Sequence, residues 1–345
     1  MVKTALAVKY RPDNWESVVE QNSTKIILQQ QLESGEVKNA YLFVGSAGTG
    51  KTTCARIFAN EINEHKGNPI ELDAASNNSI EDVREIIQQA KTKSLDSEYK
   101  VFIIDECHAL SNSAWQAMLK LIEEPPAKSI FIFCTTDPQK IPKTIISRVQ
   151  RYDFQRISQK GIVDRLGYII DHEMEERKMV VPDESLEYIA KIADGGMRDA
   201  ITLMDKCLAY SKDLTLENVV NALGTVDYDI MINFMDYWLN VDIVNIIQLV
   251  EEVHASGKDL RQFIKQSTQF MLDVCKYGMG CSTQYINLPM TEDIKKVLDS
   301  LDPSSFDLCN ELLSLVINLN SSIKYSSTVK YDIEAELILS LSDSQ

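Results

Sequence analysis

The chain lacks what a metal-stapled or disulfide-stapled fold needs. Its seven cysteines (Cys54, Cys107, Cys134, Cys207, Cys275, Cys281, Cys309) are odd in number, widely scattered and without a C-x-x-C pair, so they read as reduced core residues. Its four histidines are too dispersed for a metal site. No apolar run approaches the length that spans a bilayer, and the opening "MVKTALAVKYRPDNW" has no signal-peptide core, so a cytoplasmic protein with no membrane partner is expected. Internal repeats, low-complexity tracts and long linkers are missing too. So is any basic excess: the formal net charge of -16 argues against a protein that coats nucleic acid nonspecifically. The acidity is uneven, however. Residues 1–155 are nearly balanced in charge, which leaves that part free to offer a local surface to phosphate.

What is present begins with "GSAGTGKTT" at residues 45–53, placed between the apolar run "AYLFV" and the helical pattern "CARIFANEI". Gly45 to Thr52 fit G-x-x-x-x-G-K-[ST], the loop whose backbone N–H groups wrap nucleotide phosphates. Gly45, Ser46, Ala47, Gly48, Thr49 and Gly50, with Lys51, Thr52 and Thr53 at the helix start, are the candidate nucleotide contacts. The helix N-terminus and the Lys51 ammonium face the phosphates, and the Thr52 hydroxyl is a candidate Mg²⁺ ligand. Further on, "KVFIIDECH" ends a hydrophobic strand in Asp105 and Glu106. Asp105 is placed to hold Mg²⁺ through its water shell, and Glu106 to polarise an attacking water, so hydrolysis is expected. His108 beside them reads as a helix-entry residue. Two arginines, Arg148 in "ISRVQRYDF" and Arg198 in "GGMRDA", are candidates to stabilise charge on the γ-phosphate.

Around these motifs, short apolar runs alternate with helices through residue 155: "YLFVG", "PIELDA", "KVFIID", "SIFIFCTT" and "VQRYDF" read as strands of a buried parallel sheet. Beyond residue 156 the pattern is helical. "SQKGIVDRLGYIIDHEMEERK", "DESLEYIAKIADGG", "MRDAITLMDKCLAYS" and "TLENVVNALG" form one helical group, with Asp183 or Ser185 as caps and Gly195-Gly196 as a break. After "GTVDYD" a second group carries apolar stripes at Leu260, Phe263, Phe270, Met271 and Val274, and at Phe306, Cys309, Leu313, Val316 and Ile317. Three domains are expected: residues 1–155 binding nucleotide, 156–224 a small helical lid, and 225–345 an all-helical domain.

Together with "LAVKYRPDNWESVVEQ", "ELDAASNNSIEDVREI", "LIEEPP", "CTTDPQKIPKTIISR" and "GGMRDAI", taken in order, these motifs make the chain resemble the AAA+ ATPases, and within them the gamma/tau family of bacterial DNA polymerase III clamp loaders. The resemblance runs from residue 5 to about residue 225 and more weakly through the helical tail. It implies an α/β P-loop domain with Walker A and Walker B motifs, a lid, and a C-terminal helical collar for oligomerisation. It also implies an ATPase that uses ATP and Mg²⁺ to open a sliding clamp and capture primer-template DNA. By the same resemblance Tyr10, Arg11, Pro12, Val18 and Val19 border the adenine pocket, and Thr136 is sensor 1. Arg148 is the arginine finger acting in trans, with Val149 standing where the family has cysteine, and Arg198 is sensor 2. DNA contacts carry over to Asn77, Asn78, Ser79 and Lys120. The implied partners are delta-type and delta-prime-type loader subunits, further copies of the chain, the clamp and DNA.

Two departures shape the expectation further. The family's four-cysteine zinc module is replaced here by "NEINEHKGNP", so no zinc is expected. The sequence stops at residue 345, so the longer tail of tau is not expected. A divergent loader subunit, of bacterial cytoplasm or nucleoid or of a phage-infected cell, is therefore expected. The rival readings are another DNA-linked AAA+ motor, such as a helicase loader or branch-migration ATPase, and a non-hydrolysing scaffold subunit of the loader.

Overall fold

A computed structural model describes residues 4–94, 96–173, 180–223 and 228–342. The end of the expected helix "SQKGIVDRLGYIIDHEMEERK" and the expected boundary at residue 224 lie outside them. Five strands, β1 (Ala40–Val44), β2 (Ile70–Asp73), β3 (Lys100–Asp105), β4 (Ser129–Thr135) and β5 (Gln150–Asp153), form one sheet in the order β2-β3-β4-β1-β5. Every pairing is parallel. Helices α1 (Leu6–Lys9) and α2 (Asn22–Ser34) precede the sheet, and α3 (Lys51–Ile62), α4 (Ile80–Ala90), α5 (Asn112–Glu123) and the one-turn α6 (Lys143–Ile146) connect its strands.

The strand sequences reflect their places. β1 and β4 are buried at every position, whereas the edge strands β2 and β5 alternate between covered and exposed residues. Central parallel strands covered on both faces demand unbroken apolar runs, and this is why the inner strands stand out in the sequence. Alternate side chains of the central strands feed two cores. Leu42, Phe102, Phe131 and Phe133 pack with Val83 and Ile86 of α4 and Trp115 and Met118 of α5. Tyr41, Phe43, Ile103 and Ile132 pack with Leu28 of α2 and Cys54 and Phe58 of α3.

Two compact units divide the chain, Met1–Asp213 and Leu214–Gln345. The first also holds α7 (Gln159–Glu173), α8 (Asp183–Ile192) and α9 (Met197–Tyr210), which bury Ile162, Leu166 and Ile169, then Leu186 and Ile189, then Ala200, Ile201 and Met204. Neither Asp183 nor Ser185 caps α8. Pro182, with φ -66°, holds the N-cap position, Asp183 opens the helix, and Ser185 is buried in its first turn with its amide on the Pro182 carbonyl at 3.0 Å. Asp183 and Glu184 still favour this end by their charge.

The second unit contains α10 (Leu216–Leu223), α11 (Tyr228–Leu239), α12 (Ile243–Ala255), α13 (Leu260–Gly278), α14 (Glu292–Ser300), α15 (Pro303–Ser322) and α16 (Val329–Ser342). On α13 the expected stripe is the buried one. On α15 the buried stripe runs through Cys309, Leu312, Leu315, Val316 and Leu319 instead; Phe306 and Leu313 are partly covered and Ile317 is exposed. α15 is apolar around much of its girth, so composition alone does not fix which side faces the core. All the cysteines are free, and all but Cys281 are buried, so the expectation of seven core cysteines fails at that position. Replacing Phe133, fully buried between β3 and β1, by Ala is expected to destabilise the first unit by about 3–5 kcal/mol in urea denaturation. Ile317→Ala, at an exposed site, is expected to stay within about 0.5 kcal/mol of the parent.

Candidate nucleotide-binding site

The sheet register brings the carboxyl ends of β1, β3 and β4 together, the place where open α/β sheets receive ligands. Val44 pairs with Thr135, and the Gly45 amide continues that pairing by donating to the Thr135 carbonyl at 3.2 Å. A Cβ on Gly45 would lie 2.6 Å from the Phe154 carbonyl oxygen, so no side chain fits. At Gly50 the backbone has φ +99°, a left-handed conformation that turns the chain into α3. The turn delivers Lys51 to the interior at 6% exposure, where its ammonium donates to the carbonyls of Gly45 at 2.9 Å and Ser46 at 2.8 Å. Burial pushes the Lys51 pKa below the usual lysine value. One residue on, the Thr52 hydroxyl donates to Asp105 Oδ2 at 2.7 Å, joining the glycine loop to the tip of β3.

Glu106 follows in a left-handed conformation, φ 46° and ψ 40°. Its Oε2 accepts from the Thr136 hydroxyl at 3.2 Å and lies 3.3 Å from His108 Nδ1. His108 opens no α-helix. It sits in a 3₁₀ turn, Cys107–Ala109, and its Nδ1 is also 3.1 Å from Thr135 Oγ1.

A cavity of about 270 Å³ runs from these acids to the N-terminal segment. Lining it are Tyr10, Arg11, Pro12, Val18 and Val19, the loop residues Ala47, Gly48, Thr49, Gly50, Lys51, Thr52 and Thr53, and Arg198 at the start of α9. Gly45 and Ser46 are not in its wall; they act through the carbonyls that hold Lys51. The α9 end closes over the loop, the Met197 amide donating to the Gly48 carbonyl at 3.0 Å. Arg11 is pushed below the usual arginine range first by burial and then by the neighbouring Arg56 and Arg198 guanidinium groups. Arg165 is a wall residue that sequence reasoning missed; it donates to the Tyr10 carbonyl at 3.0 Å. A buried ammonium with no carboxylate partner among the described residues, flanking guanidiniums and a Thr–Asp pair fit a polyphosphate with a divalent ion. The valine-lined end fits a base.

The other predicted residues lie apart. Arg148 is outside the cavity wall, its Nε paired with Glu123 at 2.8 Å and its Nη1 donating to the Thr144 carbonyl at 2.8 Å. Asn78 is exposed in the loop after β2, and its carbonyl accepts from the Ser111 amide at 3.1 Å, bringing the loop beside α5, which carries exposed Lys120. Asn77 donates its amide to the Asp73 carbonyl at 3.1 Å. Ser79 is tied up as the N-cap of α4, in a reciprocal capping box with Asp82.

Comparison with known proteins agrees with this geometry. The family model for the DNA polymerase III delta subunit matches residues 68–158, and that for the DNA polymerase III clamp loader subunit ATPase lid domain matches residues 161–213. The tau subunit of DNA polymerase III from Bacillus subtilis is 39% identical over 295 residues, covering 79% of this chain and 52% of that protein. The gamma/tau subunit from Mycobacterium tuberculosis is 33% identical over 284 residues, covering 75% of this chain and 48% of the relative. The chain thus spans about half the length of the curated relatives it matches. Among solved structures, the Thermotoga maritima RuvB Holliday junction branch migration motor superposes with a TM-score of 0.52 at 20% identity, over 72% of this chain and 86% of that one.

Sheet order, glycine loop and lid define a P-loop domain of the AAA+ class. Within that class, the chain is similar over most of its length to the tau and gamma/tau subunits of DNA polymerase III, and its residues 161–213 match the clamp loader subunit ATPase lid domain. Gly45→Ala tests the loop: a backbone displacement of this kind costs about 1–3 kcal/mol, hence roughly tenfold or more in affinity for a fluorescent ATP analogue. Gly35→Ala, with open space around its Cβ, is expected to leave that affinity unchanged.

Proposed function

We propose that the chain is the ATPase motor subunit of a DNA sliding-clamp loader. The observation that carries this reading is the joining of Lys51, Thr52, Asp105 and Glu106 under the Arg198 end of α9 in a chain similar to the gamma/tau subunits. In this reading Lys51 contacts the β and γ phosphates, Arg198 the γ-phosphate, and the Tyr10–Val19 segment the adenine. Thr52, and Asp105 through water, would hold Mg²⁺, which would neutralise charge on the phosphates. Glu106 takes a proton from the attacking water, and Thr136 senses the γ-phosphate. All four P-loop and acidic groups are in place, which speaks against a non-hydrolysing scaffold subunit.

ATP bound at subunit boundaries would organise copies of this chain with delta-type and delta-prime-type subunits, through a collar at residues 225–345, into an assembly that opens a clamp and admits primer-template DNA. Residues 1–155 are the motor and 156–224 its lid. Asn78, exposed, and Lys120, the one basic group of the set, are the better-placed DNA contacts; Asn77 and Ser79 are turned to local bonds. Recognition would rest on phosphate and duplex shape, not base sequence. The site of action is the replication machinery of a cell or of a phage-infected cell.

Arg148 supplies the neighbour's γ-phosphate with a cation once its pairing with Glu123 is exchanged for that contact. Arg148→Ala is expected to abolish DNA-stimulated hydrolysis while leaving ATP affinity intact, measured by phosphate release and by binding of a fluorescent ATP analogue. Unchanged DNA-stimulated turnover would overturn the trans role.

A further inference from the structure

Two groups meet at one carboxylate oxygen of Glu106. Thr136 Oγ1 donates to Oε2 at 3.2 Å, and His108 Nδ1 approaches the same oxygen at 3.3 Å while lying 3.1 Å from Thr135 Oγ1. The local backbone is built for this meeting. Glu106 takes a left-handed conformation, and the Ala109 amide closes on the Glu106 carbonyl at 2.9 Å, so the tight turn returns the residue 108 side chain to its own carboxylate. A left-handed glutamate is strained, and such strain persists where the surroundings fix it and clusters at working sites.

The chemistry of the partners assigns the proton. A carboxylate only accepts, and Thr135 Oγ1, which accepts from the Asp137 amide at 3.0 Å, keeps a second lone pair for Nδ1–H. His108 Nδ1 close to Glu106 Oε2 is attractive only if Nδ1 carries hydrogen. Thr136 Oγ1 and His108 Nδ1 therefore both lie beside Oε2, the His108 hydrogen being shared with Thr135 Oγ1. Oε1 accepts no hydrogen bond among the described residues, and Glu106 is in the cavity wall.

We propose that His108 is a positioning residue for hydrolysis: with Thr136 it pins Oε2 of Glu106, so that Oε1 is the oxygen that receives the water proton. The water oxygen bonds to the γ-phosphorus, the β–γ bridging P–O bond breaks with its electron pair passing to the ADP oxygen, and the water proton goes to Oε1. This inference rests on the reading of Glu106 as the base. Loss of the Nδ1 donor leaves binding groups untouched and frees the carboxylate to rotate, so it lowers the rate of chemistry and not nucleotide affinity.

Two measurements on the full chain test it. In protein labelled with ¹⁵N-histidine, the four histidines give few enough signals to assign His108 by its disappearance in His108→Asn. At alkaline pH His108 is expected as the Nδ1–H tautomer, with its resonance moved in Glu106→Ala; the Nε2–H tautomer would overturn the proposal, and this readout needs no turnover. In steady-state ATP hydrolysis, His108→Ala is expected to lower kcat on the order of tenfold at unchanged KM. His108→Asn, whose side-chain amide stands where Nδ1 was, is expected to recover most of it. Full kcat in His108→Ala, or no recovery in His108→Asn, would overturn the proposal. Retained turnover in Glu106→Gln would instead sink the assignment of the base, a separate failure that leaves the tautomer result standing.

Discussion

A buried lysine cation is the constraint around which the nucleotide-binding half of this chain is arranged. Lys51 has lost nearly all its water, and the carbonyls of Gly45 and Ser46 replace it. Those carbonyls are available because the loop between β1 and α3 carries no side chain where the chain is tightest, Gly45 being pressed against Phe154. An ammonium desolvated in this way favours any arriving anion, and burial, the largest influence on its pKa, expresses that unsatisfied demand. Glycine loop, Lys51 and the Thr52–Asp105 bond are thus one device: a seat that favours an anion, joined to the tip of β3.

The lid and the N-terminal segment are tied to the same seat. Gln21, buried and left-handed, exchanges side-chain bonds with the Gln155 backbone, donating to its carbonyl at 2.7 Å and accepting from its amide at 3.1 Å. Glu20, also left-handed, accepts from the Ser158 amide at the start of α7. Tyr10 reaches the end of α7 through Glu173, at 2.8 Å, and Arg165 returns to the Tyr10 carbonyl. With Met197 on Gly48, these bonds couple the Tyr10–Val19 end of the cavity, the glycine loop and the Arg198 helix. A change at the glycine loop therefore has a direct route into the position of α9.

Much of this was legible in the sequence, for reasons tied to particular elements. The strands are legible because the inner ones are buried on both faces and must be continuously apolar, as "SIFIFCT" is. The glycine loop and the Asp105-Glu106 pair are legible because their chemistry dictates residue type at fixed spacing. Gln21, Arg165 and His108 were not. Each acts through a contact created by the fold: Gln21 meets residue 155, Arg165 meets residue 10, and His108 turns back on Glu106 only because the backbone at 106 is left-handed. Nothing in the local pattern of a lone His or Gln announces such a partner. The stripe on α15 was misplaced for the opposite reason, an excess of apolar residues that leaves the direction of the core undetermined.

The central claim is that this ATP site drives a sliding-clamp loader. Its most direct test is an affinity pull-down of the chain from its native cell extract in the presence of a non-hydrolysable ATP analogue, with identification of the co-eluting proteins. The account predicts recovery of a ring-shaped sliding clamp together with delta-type and delta-prime-type loader subunits. Recovery of a replicative helicase with no clamp would contradict it, leaving the nucleotide chemistry in place and reassigning its purpose.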